Sequence, residues 1–163
     1  MAKNKEEKTN VMRVLEQKKI AYTAHTYPHE EGMAVDGVTV AQSMGFDPAI
    51  VFKTLVARGA SKQYYVFDVP VAENLDLKKA AKAVGEKSIE MIHQKELLPL
   101  TGYVHGGCSP VGMKKLFPTV FHETAENLET MIVSAGKIGY QVELAPHDLA
   151  ALVRAKFADI IVE

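Results

Sequence analysis

The sequence predicts an α+β fold: a single domain with a mixed, curved, barrel-like β-sheet surrounded by helices. Strand-forming runs dominate the middle of the chain, at 51–57, 63–69, 119–121, 131–134 and 140–144. Helical patterns are scattered between them without the regular alternation of a doubly wound fold. The 163 residues, 47% hydrophobic and 24% charged, suit one compact core, and no internal repeat, low-complexity tract or linker marks a second domain.

The elements follow in order. The charged N-terminus predicts a flexible arm over residues 1–9, with the domain occupying 10–163. Asn10 is the expected cap of a helix that gathers Val11, Met12, Val14 and Leu15 on one side. Alternation from Ile20 to Tyr27 predicts a strand stopped by Pro28, and 29–32 reads as a loop. A helix over 38–44 starts near Asp36 and stops at Gly45, and Asp47-Pro48 turns the chain. The runs 51–57 and 63–69, joined by a turn at 59–62, form a hairpin expected at the centre of the sheet. Asp76 caps a helix through Val84, stopped by Gly85, with Lys78, Lys79 and Lys82 facing out. A short strand is expected at 88–92, a helical turn at 94–98 ended by Pro99, and a strand from Thr101 to Val104 running into a glycine loop. Residues 135–139 turn the chain into the strand at 140–144, and Pro146 opens a last helix that carries Leu149, Leu152 and Val153 and ends near Phe157.

Composition narrows the function. A formal net charge of -1 supplies no basic field for non-specific nucleic-acid binding, so DNA is not an expected partner and any RNA contact is local. Cys108 is the only cysteine, which excludes an intramolecular disulfide and a cysteine-cluster zinc site and fits a reducing cytoplasm. No run of eighteen apolar residues is present, so no membrane association is expected and the protein reads as soluble and cytoplasmic.

Two features carry chemistry. In Gly106-Gly107-Cys108-Ser109-Pro110, two residues without Cβ allow positive φ and close approach of a ligand, and Pro110 drives Ser109 toward an extended conformation. The N–H groups of Gly107, Cys108 and Ser109 are then expected to stand open toward a carbonyl or phosphate oxygen. An ordinary turn between two strands is the competing reading. Lys53 lies between Val51 and Leu55 on one face of an apolar strand, where an ammonium needs water or an anion. One anionic ligand would satisfy both Lys53 and the Gly106 loop, whereas an edge-strand lysine that deters aggregation is the alternative.

Familiar motifs fail. Met113 and Lys114 stand where a Walker A loop needs Lys and Ser/Thr, and Ser109 lies in no G-x-S-x-G elbow. The six histidines form no metal-ligand spacing, so neither metal nor cofactor is expected. Cys108 with His105 three residues upstream leaves open a thiol hydrolase.

Tyr27, Val51-Phe52-Lys53-Thr54-Leu55, Leu75-Asp76-Leu77-Lys78-Lys79, Thr101-Gly102-Tyr103, Gly106-Gly107-Cys108-Ser109-Pro110, Met113-Lys114-Lys115 and Lys156-Phe157-Ala158-Asp159-Ile160 together resemble the bacterial YbaK/EbsC family. These are Cys-tRNA(Pro) deacylases related to the editing domain of prolyl-tRNA synthetase. The resemblance covers about residues 11–161 and implies an enzyme that acts in trans on the 3′ end of mischarged tRNA(Pro), with Cys-tRNA(Cys) a further substrate and prolyl-tRNA synthetase as partner. It places the catalytic role on Lys53 and Gly106, and substrate binding on Tyr27, Thr54, Gly107, Cys108, Ser109, Pro110, Ser134 and Gln141. In family terms the substrate's own thiol attacks its ester carbonyl, releasing a thiolactone and free tRNA. The chain departs from the family pattern at Asp36, Ala135 and Gln141, where phenylalanine, glycine and aspartate are usual. Hydrolytic clearance of alanine and a non-catalytic tRNA- or synthetase-binding module are the alternatives.

Overall fold

The computed structural model describes residues 8–29 and 35–163 and arranges eight strands in two sheets. Most of the expected arm, and residues 30–32 of the expected loop, lie outside the described residues. The hairpin at 51–70 is the centre of the larger sheet. Its arms β2 (Phe52–Gly59) and β3 (Tyr64–Pro70) pair antiparallel, with Lys53 opposite Val69 and Thr54 opposite Asp68. The short β4 (Ile89–Met91) flanks β2, and β5 (Thr119–His122) runs parallel to β3. The smaller sheet is antiparallel and places β7 (Tyr140–Leu144) between β1 (Thr23–Thr26) and β6 (Met131–Ser134). The α+β expectation therefore holds, but the strands form two sheets and neither closes into a barrel.

Helices cover these sheets through apolar faces. The first, α1 (Asn10–Gln17), buries Val11, Met12 and Leu15 against Val133, Val142 and Leu149. Its cap is Thr9 and not Asn10. Thr9 is extended, and its side chain accepts from the Met12 N–H at 3.3 Å, which satisfies one of the orphan donors of the first turn. On the hairpin's other side α3 (Leu77–Val84), capped by Asp76, buries Ala80 and Ala81 with Phe67 and Val69. Lys79 does not simply face out, since it bonds Asp159 at 3.0 Å and the Ile161 carbonyl at 2.9 Å, tying this helix to the C-terminus. The short α2 (Gly37–Ser43) has Asp36 as its cap.

The expected last helix is cut short. It runs as α5 (Pro146–Val153), after which Arg154 takes a left-handed conformation (φ 59°) and the chain becomes β8 (Ala155–Ala158), parallel to β5. Leu149, Leu152, Val153 and Phe157 continue a helical spacing, and nothing local at Arg154 announces the break. Pairing with the otherwise open edge of β5 decides it.

Candidate active site

A cavity of about 540 Å³ opens where the start of β2, the end of β1, the start of α2 and the glycine loop meet. Lys53 and Thr54 come from β2, Tyr27 follows β1, Ser134 and Gln141 lie opposite each other on β6 and β7, and Gly106 and Cys108 come from the loop. The topology thus gathers seven sequence-predicted residues from four parts of the chain. Gly107, Ser109 and Pro110, predicted with them, do not line it.

Strand geometry leaves β2 half bare at this place. The bonds Val71 N–H to Val51 O (2.8 Å) and Gly59 N–H to Gln63 O (2.8 Å) show that odd-numbered residues of β2 turn their peptide groups toward β3. The N–H and C=O of Thr54 therefore face the opposite edge, which β4 covers only at Ala57 to Gly59.

Lys53 reaches the cavity half-buried, and no hydrogen bond or ion pair engages its ammonium among the described residues. Burial pushes its pKa down, and the carboxylates of Asp36 and Glu73 partly oppose that shift. A desolvated, unpaired cation on a cavity wall gains most from an anionic ligand.

The glycine loop is held by its own chain. The helix that precedes it, α4 (Gln94–Thr101), runs through Pro99 and removes the expected strand at 101–104. Pro99 lies late in the helix, where it forfeits one backbone bond, and the true stop is Gly102 at φ 87°, whose N–H donates to the Leu98 carbonyl at 2.8 Å. The Tyr103 hydroxyl bridges to the Val111 carbonyl, and the Ser109 hydroxyl accepts from the Val111 N–H at 3.2 Å.

The two glycines divide their roles. Gly106 lines the cavity at φ 89°, a conformation strained for any residue with a Cβ. Gly107 is buried, and a Cβ there would stand 3.1 Å from the Ile138 nitrogen, so it serves close packing against the turn after β6. Its N–H donates to the Val104 carbonyl at 3.0 Å and is not held open. No backbone acceptor engages the N–H groups of Cys108 and Ser109 among the described residues.

Cys108 packs its buried side chain with Val56, Val66 and Phe117. Burial, and then the charge of Asp68, pushes its thiol up to about 12. A nucleophile needs the thiolate, so this residue is inert at neutral pH, which removes the ground for a thiol hydrolase. Cys108→Ala is expected to keep turnover within about threefold while costing about 1 kcal/mol of stability for the small volume lost. Single-turnover rates and a urea titration check this, and a rate at background with intact folding would restore the thiol as nucleophile.

Asp68 is absent from the sequence-derived set. It is fully buried on β3, accepts from the Thr54 hydroxyl at 2.5 Å through Oδ1, and leaves Oδ2 without a partner. Burial pushes its pKa up to about 7, with the Thr54 hydrogen bond opposing. A carboxyl group raised in this way stabilises the fold fully below pH 4, and that contribution is lost as pH rises through 7. Asp68→Asn should therefore match the wild type near pH 4 and exceed it above pH 7 by on the order of 4 kcal/mol, at about 1.4 kcal/mol per pH unit. Thermal melts across pH 4–8 measure this, and a constant difference would refute it.

Tyr27 is buried, and its N–H donates to the Gly139 carbonyl at 2.9 Å. The Ser134 hydroxyl accepts from the Gly136 N–H at 3.1 Å, and the Gln141 Oε1 is buried without a partner. Of the positions expected to depart from the family pattern, Ala135 fills the core, Asp36 stands on the cavity wall near Lys53, and Gln141 places a neutral acceptor at the cavity. Among the described residues no cluster of three or more His, Cys, Asp or Glu is arranged to hold a metal, and no helix is long and apolar enough to cross a membrane.

The sequence and the fold have known counterparts. Residues 29–152 match the family described as the aminoacyl-tRNA editing domain. A protein from Enterococcus faecalis, EbsC, provisionally named a Cys-tRNA(Pro)/Cys-tRNA(Cys) deacylase, is 46% identical over 161 residues, covering 98% of each chain. A crystal structure provisionally assigned as a trans-editing enzyme for prolyl-tRNA synthetase aligns with a TM-score of 0.78 at 26% identity, over 94% of this chain and 95% of that one. Another, of a hypothetical protein, has a TM-score of 0.82 at 18% identity over 93% and 99% of the two chains, a likeness of fold alone.

Proposed function

The chain belongs to the aminoacyl-tRNA editing domain family, and from that premise we propose that it removes cysteine wrongly attached to tRNA(Pro), through attack of the substrate's own thiol. The observation that carries the reading is the half-buried, unpaired Lys53 on a cavity whose one thiol is held neutral. Such a site holds and polarises a substrate and supplies no nucleophile of its own.

In the proposed reaction the Lys53 ammonium anchors a phosphate at the tRNA 3′ end, and Gly106 admits the aminoacyl ester against bare backbone. The cysteine thiolate sulfur bonds to the ester carbonyl carbon. The C–O bond to the ribose then breaks, and the departing ribose oxygen takes a proton, leaving a thiolactone and free tRNA. Orientation within the cavity supplies most of the acceleration, since effective molarities of intramolecular reactions reach about 10⁵ M. Selectivity follows from the same chemistry: a pocket separates side chains differing by one small group by only about 1–3 kcal/mol, whereas alanine has no thiol to attack with.

Near-neutral net charge gives little intrinsic attraction for tRNA, which favours delivery by prolyl-tRNA synthetase in the cytoplasm. The test is release of cysteine from Cys-tRNA(Pro) by purified protein, with Ala-tRNA(Pro) alongside. Preferential clearance of the alanyl substrate would replace this reading with hydrolytic editing, and binding without turnover would replace it with a tRNA-binding module.

A further inference from the structure

Behind the cavity wall, Asp68 and Thr54 form a pair that the proposed reaction does not use. They face each other across the β2–β3 ladder, and Thr54 lines the cavity whereas Asp68 does not. The hydroxyl of Thr54 lies 2.5 Å from Asp68 Oδ1, the other carboxyl oxygen has no partner, and the whole residue is sealed from solvent. A fully buried carboxyl group with half its acceptor capacity unused is costly to keep unless it has a use.

We propose that Asp68 is a positioning residue that sets the hydrogen-bond polarity of Thr54 and so makes the cavity wall an acceptor for the substrate's donor group. An ionised carboxylate can only accept, so it fixes the Thr54 proton toward itself and leaves the threonine oxygen free to accept from the thiol or amine of a bound aminoacyl group. When Asp68 is protonated it can donate to Thr54 instead. The threonine proton is then released, and the wall turns from acceptor to donor. The substrate donor loses its partner, and productive orientation is lost with it.

The surroundings allow this switch to operate near neutrality. Burial pushes the Asp68 carboxyl up to about 7, and the Thr54 hydrogen bond opposes that shift. From β2 it meets Thr54, from β5 its ladder neighbour is the apolar Phe121, and from the glycine loop it feels Cys108, whose thiol stays neutral to about 12. Lys53, although adjacent in sequence to Thr54, lies on the other face of β2 by strand alternation.

The inference rests on the deacylase reading, and the test separates the two. Single-turnover cleavage of Cys-tRNA(Pro) is followed from pH 5.5 to 9 for the wild type and for Asp68→Asn, Thr54→Ser and Thr54→Val. The wild type and Thr54→Ser should show two rising limbs, one near pH 7 and one from the substrate thiol near its unperturbed pKa of about 8.5. Asp68→Asn and Thr54→Val should lose the lower limb, a change of about tenfold between pH 6 and 7.5, and keep the upper one. Thr54→Val guards against misfolding of the Asp68 variant, because it removes the same coupling from the other side. If Asp68→Asn keeps both limbs, the positioning role is overturned while deacylation stands. Should the wild type itself fail to release cysteine, the deacylase reading falls and this inference falls with it.

Discussion

Replacing Lys53 by alanine or glutamate is expected to lower cysteine release from Cys-tRNA(Pro) by at least ~10²-fold, the scale of losing one preorganised charge contact. The ammonium lies half-buried on the cavity wall, without a partner among the described residues. Its worth is as a charge that a substrate anion completes, so Lys53→Arg should keep part of the activity if the larger guanidinium fits. A general base would not survive that change. Stability should move the other way. Burial depresses the pKa of Lys53, so the folded state disfavours the charged form at neutral pH, and this cost fades only as pH climbs toward 10.5. Lys53→Met should accordingly melt at or above the wild-type temperature at pH 7 while being inactive. Full activity in Lys53→Ala would exclude the anchor role, and a large drop in melting temperature for Lys53→Met would make the lysine a structural residue.

tRNA(Pro) carrying S-methylcysteine should be cleared about 10³-fold more slowly than the cysteinyl substrate, or not at all. The thioether has nearly the same shape but cannot deliver a sulfur anion to the carbonyl. Water at ~55 M would then have to replace an internal nucleophile whose effective molarity is about 10⁵ M. No thiolate of the protein substitutes for it, because Cys108 is held neutral well above physiological pH. Parallel single-turnover assays on the two substrates decide the matter. Clearance of the S-methyl substrate at a comparable rate would mean that the protein activates water, and the thiol-assisted route would have to be abandoned.

Much of the site was legible in the chain because its signals are local conflicts. A lysine inside Val51-Phe52-Lys53-Thr54-Leu55, and the paired glycines ahead of Pro110, both violate what a packed strand or helix would select, and Lys53 and the first of the glycines, Gly106, line the cavity. The same reasoning applied to Asp68, a lone carboxylate in Tyr64–Pro70, would have marked it too, but its partner could not be read from the strand alone. Which of the two glycines faces the cavity was equally hidden. Gly107 is excluded by a contact with Ile138, thirty-one positions away, and by a backbone bond that spends its N–H.

By itself the sequence determined the α+β class, the central hairpin and the capped helix after Asp76, because strand alternation, turn residues and caps act within a few positions of each other. Tertiary structure alone decided the break at Arg154, the strand Ala155–Ala158 and the pairing of Thr54 with Asp68. Each of these depends on a partner distant in sequence, an open sheet edge or a facing strand. The gain from satisfying that partner outweighs a local preference worth about 1 kcal/mol or less per residue.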